Sequence, residues 1–279
     1  MLFRSDSGPS DVDAGHRLPY LETLLISWSP QTDLSFLAHT FQFSHLRHLT
    51  ITADNHPPQL LDQINSFAIG RHTFPSLTDL SISCGILLPQ VIDSMDFGTL
   101  IDPFLSSTLM QNVCIQFPGF CMGFSTQDLD NMVEAWPALR SLDISFFPSV
   151  TYPAPDLRRV IERTYAFCPH LHSLHVPALA TYTDTYQRFT LNPPRLHPHF
   201  RFSSDVFVPQ HHPLDIALEI FRIFPSYMPI LPFFVVGMHW SVIEACIQGL
   251  QEGRIGLLES FQFCHWNIRC VNLQMYILI

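Results

Sequence analysis

Apolar positions recur along this chain in one short phrase. Leu18-Pro-Tyr-Leu-Glu-Thr-Leu-Leu-Ile26 returns as Phe43-Ser-His-Leu-Arg-His-Leu-Thr-Ile51 and as Phe74-Pro-Ser-Leu-Thr-Asp-Leu-Ser-Ile82. It returns again as Trp136-Pro-Ala-Leu-Arg-Ser-Leu-Asp-Ile144 and Cys168-Pro-His-Leu-His-Ser-Leu-His-Val176. The shared form is apolar-Pro-x-Leu-x-x-Leu-x-Ile. Its last residues alternate apolar and polar, the signature of a strand with one buried face. The Leu-x-x-Leu-x-Ile cores start at Leu21, Leu46, Leu77, Leu139 and Leu171. The long gap after Leu77 predicts a degenerate unit, and Met110-Gln-Asn-Val-Cys-Ile115 fits it. Starts are then about 25 to 33 residues apart, a period that makes each unit one strand plus a return segment. Between strands the spacing becomes helical. Leu60, Leu61, Ile64 and Phe67 fit a helix over Pro58 to Ile69. Ser125-Thr-Gln-Asp128 reads as a capping box opening Leu129, Met132, Val133 and Trp136. Pro155-Asp156 opens a helix with Leu157, Val160, Ile161 and Tyr165 inward, and His212-Pro213 opens one with Leu214, Ile216, Ala217, Ile220 and Phe221.

This pattern is the strand half of a leucine-rich repeat. The predicted fold class is α/β, a leucine-rich-repeat-like solenoid with parallel strands on the concave face and helices on the convex face. The Asn usual in the turn of such repeats is missing. The apolar-Pro pair sets the corner instead, since proline fixes the backbone and donates no hydrogen bond where a helix ends. The expected organisation is a disordered lead-in over 1–17, a solenoid of about six to seven units over 18–236, and a cap with a hydrophobic tail over 237–279. Phe224-Pro-Ser-Tyr-Met-Pro-Ile230 is expected as a seventh copy, demoted to an edge strand by Pro229. Trp240 to Glu252 is expected as the capping helix, and Phe261 to Ile279 lacks a repeat phrase.

Alternation also predicts a surface. The first Leu, second Leu and Ile of each phrase point inward, so the residues between them line the concave sheet. Strand by strand these are Thr23, Leu25 and Ser27; His48, Thr50 and Thr52; Asp79, Ser81 and Ser83; Asn112, Cys114 and Gln116; Ser141, Asp143 and Ser145; Ser173, His175 and Pro177. The face is small and polar, with no aromatic anchor among these positions. Its polar members form the candidate protein-binding site. Loops, or the terminal strand and cap, are the alternative binding surfaces.

The chain has 279 residues, 47% of them hydrophobic, which is enough to bury a sizeable core. The formal charge of −10 argues against a nucleic-acid partner. All 14 basic residues are Arg. The lack of Lys excludes a Schiff-base or P-loop lysine and removes the usual ubiquitin acceptor. Seven irregularly spaced Cys, no leader-like opening and no Asn-x-Ser/Thr site point to a reducing compartment, cytoplasmic or nuclear. Pro229 to Met238 is apolar but too short to span a membrane, so no membrane partner is expected.

No Gly-x-Gly-x-x-Gly, P-loop, His-Glu-x-x-His or Gly-x-Ser-x-Gly occurs. His170, His172 and His175 share one phrase, but no Cys or carboxylate stands at ligand spacing beside them. Cys264, His265 and Cys270 lack a second ligand pair, and His197, His199, His211 and His212 fall in Pro-rich connections. Asp128 and Asp130 read as a solvated helix start, and Cys84 and Cys114 as small buried hydrophobes. No catalytic, cofactor or metal site is assigned, and the chain is read as a non-enzyme. A metal-dependent hydrolase using His170, His172 and Cys or Asp neighbours is the enzymatic alternative.

The phrases at Phe74, Trp136 and Cys168, the run Pro213-Leu-Asp-Ile-Ala-Leu-Glu-Ile-Phe-Arg-Ile-Phe-Pro225 and the close at Trp240-Ser-Val-Ile-Glu-Ala resemble the repeat region of fungal, basidiomycete-type F-box proteins. The resemblance spans Leu18 to Glu252. It implies the substrate-recognition part of a receptor in a cullin-type ubiquitin ligase, with an unidentified protein as ligand. An F-box is about forty residues of helix before the repeats, and only seventeen mostly polar residues precede Leu18 here. Contact with the ligase adaptor is therefore expected only if an upstream F-box exists. The alternative is a stand-alone structural repeat protein, or a truncated fragment, without a ubiquitin role.

Overall fold

Proline at the second position of the phrase predisposes the chain to a turn. In the computed structural model five phrases make the same one. The N–H groups of Leu46, Leu77, Met110, Leu139 and Leu171 donate to the carbonyls of Phe43, Phe74, Ser107, Trp136 and Cys168 at 3.0–3.2 Å. A four-residue turn of this kind favours Pro at its second position, where the fixed φ fits. Two helices end on it. The Trp136 N–H still donates to Met132, and that of Cys168 to Thr164, before proline stops the helix.

The structure describes residues 16–17, 21–29, 34, 41–53, 59–60, 62–64, 74–85, 95–149, 152–180, 201–208, 213–223 and 238–252. In chain order the elements are β1 (His16–Arg17), β2 (Thr23–Trp28), β3 (Phe41–Gln42), β4 (His48–Ala53), β5 (Asp79–Cys84), β6 (Met95–Asp96) and α1 (Phe97–Ile101). A 3-10 turn, Asp102–Phe104, follows α1. Then come β7 (Asn112–Gly123), α2 (Thr126–Ala135), β8 (Ser141–Pro148), α3 (Leu157–Phe167), β9 (Ser173–Ala180), β10 (Arg201–Val208), α4 (Pro213–Ile223) and α5 (Met238–Gln251).

The fold is mixed α/β. Among the described residues it has one large open sheet of parallel strands, ordered β2-β4-β5-β7-β8-β9-β10, with β6 paired to the far end of β7. Strand order follows chain order throughout. Thr23, His48, Asp79, Asn112, Ser141, Ser173 and Arg201 form one register row. A repeated backbone contact holds this register. The carbonyl before each strand accepts two N–H bonds from the next unit: Glu22 from Arg47 and His48, Arg47 from Thr78 and Asp79, Thr78 from Gln111 and Asn112, Gln111 from Arg140 and Ser141, and Arg140 from His172 and Ser173. The backbone thus satisfies itself at the corner, where the absent Asn would otherwise act.

From β2 to β8 the core lies on one side of the sheet, and on β9 the outward Pro177 and Leu179 are buried as well. Leu49, Ile51, Leu80, Ile82, Val113, Ile115, Leu142, Ile144, Leu174 and Val176 are buried, and they join one cluster with Leu129, Met132, Val133, Val160 and Ile161 from the helices. The corner residues stack along the units. The Phe43 and Phe74 rings lie 6.2 Å apart and those of Phe74 and Phe104 5.9 Å apart. Next in line, Trp136 Nε1 donates to the Phe104 carbonyl at 3.2 Å, and Cys168 Sγ donates weakly towards the Trp136 carbonyl. Cys168 is a buried thiol, its pKa pushed up to about 12 by that burial.

Several expectations hold locally. Residues 59–60 and 62–64 are helical, with Leu60 and Ile64 buried. Ser125 and Asp128 make a complete capping box, and the Asp156 side chain caps α3 through the Arg159 N–H at 3.1 Å. The expected terminal helix is α5, which begins at Met238 and packs on α4 and β10. Others need correction. Asp128 and Asp130 are not solvated; both are buried. Asp130 receives Arg159 and Arg163 from α3, so it ties two successive helices together. Arg163 also pairs with Glu134 and covers the Phe167 ring. Pro177 is buried instead of exposed on the face, and Cys114 is only half-buried. The strand beside β9 is Arg201–Val208, which the phrase did not reveal. The copy expected at Phe224–Ile230, the lead-in before His16, the histidines His197, His199, His211 and His212 and the tail from Gly253 lie outside the described residues.

Candidate binding face

Parallel strands in register turn each phrase position into a straight row of side chains across the sheet. The outward positions form three rows. The first runs Thr23, His48, Asp79, Asn112, Ser141, Ser173, Arg201. The second runs Leu25, Thr50, Ser81, Cys114, Asp143, His175, Ser203. The third begins Ser27, Thr52, Ser83, Gln116, Ser145. These members are exposed or half-buried, apart from Ser203, which is fully buried, while their inward neighbours are buried except Leu24 on the edge strand, which is partly buried. The structure therefore brings all fifteen polar candidate residues onto one face.

Neighbouring rows and strands hold one another through side-chain bonds. Asp79 pairs with His48 Nδ1 at 3.0 Å and accepts from Asn112 Nδ2 at 2.7 Å, and Thr78 Oγ1 also donates to it. Asp143 accepts a long bond from Gln116 Nε2 at 3.4 Å and lies 4.0 Å from Cys114 Sγ. Burial and then the Asp143 charge push the Cys114 thiol up to about 11, so it is no thiolate nucleophile at neutral pH.

A third cluster joins the last strands. His175 Nε2 donates to Asp205 Oδ1 at 3.2 Å, and Ser145 Oγ donates to Asp205 Oδ2 at 2.9 Å. His175 Nδ1 and Ser203 Oγ share a bond of 2.7 Å. The residue types match a nucleophilic triad, but Ser203 is fully buried and its hydroxyl is engaged. No carbonyl can reach that oxygen in this arrangement, so the geometry serves to fasten β10 to β8 and β9. Sequence reading missed Ser203 and Asp205 because Arg201-Phe-Ser-Ser-Asp lacks the Leu-x-x-Leu core. It also missed Phe147, which continues the outward alternation of β8 and is 45% exposed beside Cys121. Leu25, at 72% exposure on the edge strand, is a second large exposed apolar side chain on this face.

His170 and His172 are exposed at the corner before β9. Among the described residues no three His, Cys, Asp or Glu side chains gather to hold a metal ion. No helix among them is long and apolar enough to cross a membrane. Comparison with protein-family models, with curated proteins and with solved structures finds no match to this chain.

Proposed function

We propose that the chain is a leucine-rich-repeat-like solenoid that binds a partner protein across the polar sheet face and performs no chemistry of its own. One observation carries this reading. The parallel strands follow chain order and share one register, yet among the described residues the outward positions from β2 to β8 stay exposed or half-buried while the core covers the other side. Parallel sheets are ordinarily covered on both faces. A parallel sheet whose second face is open, polar and ordered in rows has the form of a repeat-protein binding surface. The pairs across the rows support the same reading. Side chains already tied to their neighbours lose less rotamer freedom when a partner docks. The resemblance of the repeat phrases to F-box receptors makes the partner a protein delivered for ubiquitination in the cytoplasm or nucleus.

The test is affinity capture from cell extract with the full chain, compared with a variant carrying His48→Glu, Asp79→Arg and Asp143→Arg. Partners held by the wild type and lost by the variant support the face. An identical partner list for both rejects it. Co-capture of a cullin-ligase adaptor supports the ubiquitin connection, and a face-dependent partner without the adaptor favours a stand-alone binding module.

A further inference from the structure

Charge is unevenly placed along the rim where the chain enters the strands. The residues just before β2, β4, β5, β7, β8 and β9 are Glu22, Arg47, Thr78, Gln111, Arg140 and His172, and β10 opens on Arg201. At the first end Glu22 offsets Arg47. At the other end Arg140, His172 and Arg201 follow one another with no carboxylate among the described rim positions. Their backbones are neighbours, since His172 N–H donates to Arg140 O at 2.9 Å and Arg201 N–H to His172 O at 2.8 Å. All three are exposed, as is His170 in the adjoining turn. Among the described residues neither Arg140 nor Arg201 has an ion-pair partner, whereas Arg158, Arg159 and Arg163 are each tied to a carboxylate.

We propose that this rim, Arg140, His172 and Arg201 with the hydroxyls of Ser141 and Ser173, docks an acidic stretch of the partner protein. The proposal rests on the sheet being a protein-binding face, and it names the chemistry that one end of that face recognises. Guanidinium groups are donors only and ionised carboxylates acceptors only, so the two match without a competing arrangement. Ser141, Ser173 and Arg201 stand in one register row, which places two further donors beside the cations. Strands lie about 4.8 Å apart, so the two arginines start about 10 Å apart at the backbone. An extended peptide presents same-side residues about every 7 Å, within reach of two long arginine side chains. Asp143 stands in the next row, one step into the face. It repels carboxylates there and directs the acidic segment along the rim. The chain as a whole carries −10, so attraction of an acidic peptide reports this local patch and not the overall field.

The experiment is fluorescence anisotropy of the full chain with fluorescein-labelled octaglutamate, with octalysine and a Gly/Ser octapeptide as controls. Octaglutamate should bind in preference to the neutral peptide and weaken as salt rises. Arg140→Glu with Arg201→Glu should weaken it about tenfold or more, with the Gln pair in between. Arg47→Glu, at the other end of the same rim, should change it by less than about twofold. Circular dichroism verifies that these exposed changes leave the fold intact. Equal binding of neutral and acidic peptides, or unchanged affinity in the double Glu variant, overturns the proposal, as does an equal loss from Arg47→Glu. The two readings fail separately. Partner capture that depends on Asp79 and Asp143, without octaglutamate binding, leaves the face and removes the acidic rim. Rim-dependent octaglutamate binding without any face-dependent partner leaves the rim and removes the broader face.

Discussion

Ser107 occupies the corner position that Phe43, Phe74, Trp136 and Cys168 fill in the neighbouring units. It makes the same turn, with its carbonyl accepting from the Met110 N–H at 3.1 Å. Its side chain is fully buried and its Oγ has no hydrogen-bond partner. Phe104, three residues earlier, supplies the ring that continues the Phe43–Phe74 stack, so the hydroxyl faces an apolar corner. Ser107→Ala should therefore stabilise the protein. Relieving a buried unpaired hydroxyl is worth about 1–3 kcal/mol. The void left by one oxygen takes back about 0.3 kcal/mol at the usual cost per unit of cavity volume. A net gain of about 1 kcal/mol corresponds to a rise of about 2 °C in Tm for a chain of this size. Ser107→Cys should raise it as well, because a thiol at this position copies Cys168.

The assay is calorimetric melting with parallel urea unfolding, using Ser141→Ala as a half-buried reference expected to stay within about 0.5 kcal/mol. A Ser107→Ala variant that melts about 2 °C or more below wild type would refute the reasoning. It would mean that the hydroxyl makes a bond the fold depends on, and that the unit between β5 and β7 does not share the corner of its neighbours.

Other consequences can be measured on the same material. Gly123→Ala should destabilise by about 1–3 kcal/mol, the usual cost of overpacking, because a Cβ there would meet the Tyr152 ring at 2.5–2.6 Å; a neutral melt would show that the ring moves freely. The Asp130 ion pair should be asymmetric. The Asp130 side chain is 4% exposed and those of Arg159 and Arg163 are 55% and 28%, so Asp130→Ala frees arginines that water can reach and costs about 1–2 kcal/mol. Arg159→Ala with Arg163→Ala strands a buried carboxylate and should cost about 3–5 kcal/mol, and urea midpoints in the reverse order would contradict this. Burial, with the Asp96 charge added, holds the Asp128 carboxyl above the usual range despite its bonds to Ser125. Its folded state keeps the proton to higher pH than the unfolded chain. The stability it contributes is present below the ordinary carboxylate pKa and lost as pH rises through the raised folded value. Asp128→Asn should flatten that slope in a pH series of melts, and an unchanged slope would assign it to another group.

The legible parts of this fold share one cause. In a parallel, in-register sheet the register repeats with the phrase, so a residue's place in the phrase is also its row. That is why Thr50, Ser81, Cys114 and Asp143 could be set in one row from sequence, although Thr50 and Asp143 are 93 positions apart. Where an element leaves the phrase, that correspondence ends. Arg201–Val208 keeps the alternation but places Ser204, fully buried, at a position where the other strands carry Ile or Val. Apolar periodicity cannot find such a strand, and with it went Ser203 and Asp205. Phe147 was missed for a related reason. The register of β7 on β8 shifts between Phe117 and Cys121, beyond the last position of the phrase. The Asp130 pairing was available in principle. Asp130 and Glu134 are four apart on α2, and Arg159 and Arg163 are four apart at the matching turns of α3. Opposite charges at the same spacing in successive units mark helices that face each other, whereas a single helix considered alone assigns the same residues to water. Chemistry within one unit was thus visible from its phrase, and chemistry between units only where the repeat is used as the ruler. The polar sheet face belongs to the second kind. Its rows follow from the phrase, but the rim of basic residues emerges only when Arg140 before β8, His172 before β9 and Arg201 at the start of β10 are placed on one edge.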